Sequence, residues 1–113
     1  MNPKPKTQHL VIEISQIAQK NLINSNLSQI LQNFCLATNL NVVNFLEYQF
    51  EPFGFSAVFI LQESHLAAHS WPELGYLHLD ILTCGDGLDL VKIHHFWNQN
   101  LPNSFVKITE LRY

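Results

Sequence analysis

The stretch from Asn41 to Gln62 constrains the fold more than any other part of the chain. Asn41 to Phe50 and Phe55 to Gln62 are rich in branched and aromatic residues, and Glu51-Pro52-Phe53-Gly54 between them supplies the proline and glycine of a turn. An antiparallel hairpin is predicted. In its second arm both alternating sets are apolar, Phe55, Ala57, Phe59 and Leu61 on one side and Val58 and Ile60 on the other. Both faces of that strand are therefore expected to meet protein, one face taking helices and the other a partner subunit.

The remaining elements arrange themselves around that hairpin. His9 to Ile14 reads as a strand. From Ser25 or Asn26, either able to cap a helix, Leu27, Ile30, Leu31, Phe34 and Thr38 recur at helical spacing. Glu63 to Gly75 has no steady period and reads as a loop. Leu77, Leu79 and Ile81 alternate with Tyr76, His78 and Asp80 as a strand, which Thr83-Cys84-Gly85-Asp86-Gly87 ends. A second helix is expected from Leu88 to about Gln99 with Asp86 near its start, and Phe105 to Leu111 alternates as a last strand. The order β-α-β-β-β-α-β predicts an α+β fold, an antiparallel β-sheet with two helices on one face.

At 113 residues the chain suits a single domain with one core, without disulfide or metal staples. Only 13% of residues are charged, which favours burial of extra surface in an oligomer. A net charge of -3 with six scattered Lys and Arg residues argues against nucleic-acid binding. No apolar run reaches the ~18 residues of a membrane span and the start does not read as a signal peptide, so the cytoplasm is the expected location. Cys35 and Cys84 have no disulfide or zinc spacing, and no metal site is expected. His65 and His69 stand four apart but lack the glutamate of a helical zinc motif. Ser64, His69 and Cys84 could suggest an acyl-transfer nucleophile, although Glu-Ser-His is not a nucleophile elbow.

Three blocks in order say more: Tyr48-Gln49-Phe50-Glu51-Pro52-Phe53-Gly54-Phe55-Ser56, Glu63-Ser64-His65-Leu66-Ala67-Ala68-His69-Ser70-Trp71-Pro72-Glu73, and Leu82-Thr83-Cys84-Gly85-Asp86. Together they resemble the short prokaryotic S-adenosylmethionine decarboxylase proenzymes. The resemblance implies self-cleavage at Glu63-Ser64 into a β chain, residues 1–63, and an α chain, residues 64–113. The Ser64 hydroxyl would attack the preceding carbonyl, and the resulting ester would leave by elimination, so that Ser64 becomes a covalent pyruvoyl group. His69 is the implied base for the α-proton, and Ser56 assists processing. The ketone would then form a Schiff base with S-adenosylmethionine and act as an electron sink for loss of carbon dioxide.

The same resemblance makes Cys84 the acid that protonates the former α-carbon, Phe50 a stacking surface for adenine, and Glu73 an acceptor for the ribose hydroxyls. His65 and Trp71 are expected to shape the loop. The product, decarboxylated S-adenosylmethionine, is the aminopropyl donor of spermidine synthesis. A homodimer of processed protomers is implied, its sheets packed in an αββα four-layer sandwich. Tyr48 and Ala57 depart from the family's common residues, which leaves a pyruvoyl-dependent arginine or ornithine decarboxylase on the same fold as one alternative; a non-catalytic homologue that acts as a binding or regulatory partner is the other.

Overall fold

A computed structural model describes residues 2–23 and 26–113. Six strands form one antiparallel sheet: β1 (Thr7–Ser15), β2 (Val42–Gln49), β3 (Phe55–Leu61), β4 (Ser64–Trp71), β5 (Tyr76–Cys84) and β6 (Phe105–Leu111), in the order β2-β3-β4-β5-β1-β6. The helices are α1 (Gln19–Ile23), α2 (Leu27–Ala37) and α3 (Leu90–Asn100), with a 3-10 turn at Pro72–Leu74. The α+β class and the helices on one face agree with the sequence reading. One strand and one short helix, α1, are present beyond those expected.

That strand is β4, and it corrects the loop assigned to Glu63 to Gly75. Leu66, Ala68 and Ser70 are buried and alternate with the partly exposed His65, Ala67 and His69. Small residues and histidines make this alternation weak in sequence. Pairing on both sides fixes it, with Ala67 opposite Val58 of β3 and Asp80 of β5. Strand β5 likewise runs through Thr83 to Cys84 rather than breaking before them.

Alternation gives the sheet two unlike faces. Leu10, Ile12, Ile14, Phe59, Leu66, Leu79 and Ile81 are fully buried and pack with Leu31 and Phe34 of α2 and Ile93 and Trp97 of α3. Burial of each such side chain contributes about 1.5 to 3 kcal/mol, so this layer dominates the protomer's stability. Asn26 caps α2 through its side chain, which accepts from Gln29 N–H; Ser25, the other candidate cap, lies outside the described residues. Helix α3 begins later than expected. Its cap is Asp89, accepting from Val91 and Lys92, rather than Asp86, which instead pairs with Lys6.

Among the described residues no helix covers the second face. Leu46 is 79% exposed, Val58 45% and Ile60 54%, beside partly exposed Val11, Ala67 and Leu82. The doubly apolar pattern of β3 therefore leaves apolar side chains uncovered on this face of the protomer. Among the described residues no helix is long and apolar enough to cross a membrane.

Candidate active site

Ser64 opens β4, pairing with Leu61 of β3 and Thr83 of β5. Its φ of 147° is a conformation that side-chain-bearing residues rarely adopt, so the backbone is strained at the residue the sequence singled out. The Cys84 N–H donates to the Glu63 carbonyl oxygen at 2.9 Å, drawing the Glu63–Ser64 peptide onto the end of β5. Ser64 Oγ stands 3.8 Å from Cys84 Sγ. Glu63 and Cys84 also line a cavity of about 220 Å³ with Thr38, Thr83 and Leu88.

Ser56, His69, Phe50 and Glu73 gather elsewhere. Ser56 and His69 are register partners on β3 and β4, with Ser56 Oγ 2.7 Å from His69 Nδ1. Both lie on the uncovered face. The hairpin turn brings Phe50 beside them, closed by Phe50 N–H donating to the Gly54 carbonyl at 2.8 Å. Gly54 has φ +114°, which explains glycine at that position. Phe50, Phe53, Ser56, His69, Trp71 and Glu73 line a cavity of about 300 Å³. Phe50 is half exposed and packs edge-on against Tyr48, its ring available for stacking.

The two groups stand at opposite ends of β4. His69 lies five residue steps along β4 from Ser64, and at ~3.3 Å per step of strand that is about 16 Å. A loop could have folded His69 back onto Ser64. A strand cannot.

Sequence reasoning missed a third group. Asp80 of β5 accepts from His9 Nε2 at 2.6 Å and lies 3.5 Å from His65 Nε2, linking β1, β5 and β4 on the uncovered face. Burial alone would raise the Asp80 pKa, but the hydrogen bonds from His9 and His65 outweigh it and hold the carboxyl below its usual range. The alternation of β5 put Asp80 on a polar face, but only the strand register brings it to His65. At the other end Tyr76 donates to Glu13 at 2.7 Å; burial and then this bond push its phenol up to about 12. His65 and His69 turn to different partners, and among the described residues no group of three or more His, Cys, Asp or Glu side chains converges as a metal site. His94 and His95 are exposed on α3, and neither lines the cavities at Cys84 or at His69.

A sequence model of the family described as S-adenosylmethionine decarboxylase matches residues 8–112. The S-adenosylmethionine decarboxylase proenzyme of Thermosipho africanus is 33% identical over 104 residues, 91% of this chain and 80% of that protein. The proenzyme of Clostridium botulinum (strain Langeland) is 34% identical over 104 residues, 91% and 90% of the two chains. The crystal structure of the adenosylmethionine decarboxylase from Aquifex aeolicus superimposes with a TM-score of 0.77 over 98% of this chain and 94% of that one; at 23% identity the likeness concerns the fold.

Proposed function

Because the chain belongs to the S-adenosylmethionine decarboxylase family, we propose that it decarboxylates S-adenosylmethionine after converting its own Ser64 into a pyruvoyl group. The observation that carries this reading is the environment of the Glu63–Ser64 bond. Its carbonyl oxygen already accepts a hydrogen bond from the Cys84 amide, and the residue that follows is a strained serine. These residues suit the formation of a pyruvoyl group, which supplies a ketone to withdraw electrons when carbon dioxide leaves.

Processing begins when Ser64 Oγ bonds to the Glu63 carbonyl carbon. The C–N bond breaks, and the hydroxyl proton ends on the freed amine. Negative charge develops on the carbonyl oxygen as this occurs, and the Cys84 N–H is aimed at that atom. Release of the strain at Ser64 favours the same step. Loss of the ester then requires a base at the Ser64 α-proton, the role assigned to His69, with Ser56 orienting its ring.

Since His69 is about 16 Å away along its own strand, the base that serves Ser64 is the partner subunit's His69. A two-fold dimer joining the uncovered faces, with strands running in opposite senses, brings the Ser64 end of one protomer to the His69 end of the other. Each site then draws Ser64 and Cys84 from one chain and Phe50, Ser56, His69 and Glu73 from its mate. The exposed Leu46, Val58 and Ile60 support this pairing. Each is already partly covered, so burying what remains exposed would contribute roughly 1 to 2 kcal/mol apiece before the cost of association.

In the mature site Phe50 stacks on the adenine, and Glu73 accepts from the ribose hydroxyls. The Cys84 thiol holds the proton delivered to the carbon that lost carbon dioxide. Intact-mass measurement tests processing: two chains divided at Glu63–Ser64, with a carbonyl in place of the Ser64 amine, are expected. Carbon dioxide release should follow S-adenosylmethionine and not arginine or ornithine. A chain that stays whole after long incubation would overturn the reading.

A further inference from the structure

Asn41 follows the buried Leu40 where the chain leaves α2, and no motif singles it out. It nevertheless holds the acyl side of the proposed scissile bond. Its backbone N–H and its Nδ2 donate to the two carboxylate oxygens of Glu63, at 3.1 and 3.0 Å. Its own carbonyl accepts from Gln62 N–H at 2.9 Å. Asn41 therefore makes three hydrogen bonds to the two residues immediately before Ser64. The segment that carries it is itself fixed, because Leu40 N–H donates to the Cys35 carbonyl at 2.8 Å and Thr38 caps α2.

A fork of two donors on a carboxylate fixes its orientation as well as its position. The Glu63 side chain, held at its tip by Asn41, and the Glu63 carbonyl, held by the Cys84 amide, fix this residue from two directions. Both restraints converge on the peptide that Ser64 must attack. Asn41 is exposed and Glu63 partly so, and their contribution to overall stability is therefore small. Reaction rate is more sensitive: displacing reacting atoms by about 1 Å can cost on the order of 10²-fold.

We propose that Asn41 is a positioning residue for self-cleavage, orienting Glu63 so that its carbonyl carbon stays within reach of the Ser64 hydroxyl. The inference rests on the processing reading above and extends it to a residue outside the three sequence blocks. After cleavage the same clamp retains Glu63, then the carboxyl terminus of the first chain. Asn41 touches no reacting atom and acts only through Glu63.

The test is the first-order rate of chain cleavage in freshly purified full-length precursor, followed by intact mass. Asn41→Ala should fold with an unchanged circular dichroism spectrum and cleave about 10-fold or more slowly. In a Glu63→Ala background the same substitution should have no further effect. The reversed pair, Asn41→Asp with Glu63→Gln, lets an amide donate to a carboxylate again and should recover much of the rate lost in Asn41→Asp alone. Cleavage of Asn41→Ala at the wild-type rate would overturn the inference while leaving the processing reading intact. So would an equal slowing with and without Glu63. A wild-type chain that never cleaves would overturn both.

Discussion

Ser56 Oγ and His69 Nδ1 lie 2.7 Å apart across the β3–β4 ladder, so the ring of the proposed base is oriented by its register partner. For His69 to accept a proton through Nε2, its Nδ1 must carry the hydrogen and donate it to Ser56. His69→Ala should lower conversion of Ser64 by about 10² to 10⁴-fold, the usual contribution of a positioned base. Ser56→Ala should slow it less. Both should accumulate the ester, which hydroxylamine cleaves and the unreacted amide resists; measuring hydroxylamine-dependent chain division checks this.

The separation of Ser64 from His69 predicts complementation between inactive chains. Ser64→Ala and His69→Ala should each remain whole when expressed alone. Co-expressed, they form mixed dimers in which one site has Ser64 and Cys84 from the His69→Ala chain and His69 from the Ser64→Ala chain. That His69→Ala chain should then be cut, with activity returning to at most about a quarter of wild type for random pairing. Persistence of two whole chains in a confirmed mixed dimer would exclude the shared site.

The two thiols should react very differently. Cys84 is exposed, whereas Cys35 is 1% exposed on α2, and burial followed by the nearby charge of Glu63 pushes its thiol up to about 11. Brief alkylation of the undimerised precursor at neutral pH should label Cys84 alone. Cys35 should become reactive only in denaturant, as peptide mapping would reveal.

Acid should weaken the protein through Asp80. Its folded pKa lies below the ordinary value of 3.8, so its ionised form is favoured in the native state. The stability this contributes is present above that ordinary value and is lost as pH falls through the folded one. Wild type should exceed Asp80→Asn in urea midpoint at pH 6, and the gap should close progressively below about pH 4. In the undimerised protomer the effect should be modest, because there solvent reaches all three members of the His9–Asp80–His65 group.

The hairpin was legible from its turn residues Pro52 and Gly54 although β2 itself is exposed, and the period of α2 and the alternation of β5 were legible because burial backs each local pattern. Strand β4 was not: Ala67 and Ala68 give almost no contrast, and its strand character comes from ladders on either side. Helix α1, five residues long, is too short to establish a period. Two aspartates, Asp86 and Asp89, stand in the turn before α3, and only geometry picks Asp89 as its cap. In the site, residue types and blocks pointed to Ser64, Ser56, His69 and Cys84. Their division between two ends of one strand, and the grips of Asn41 and Asp80, depend on register that no local signal carries.

The strand order has a mechanical consequence for a chain divided at Glu63–Ser64. β1, β2 and β3 would belong to one fragment and β4, β5 and β6 to the other, yet in the sheet they alternate as β2-β3, β4-β5, β1, β6. Three of the five ladders, β3 with β4, β5 with β1 and β1 with β6, would then join different polypeptides. The halves are interwoven, and neither can depart without tearing the sheet at three seams. In a chain so divided, three ladders rather than the Glu63–Ser64 bond would hold the fabric together.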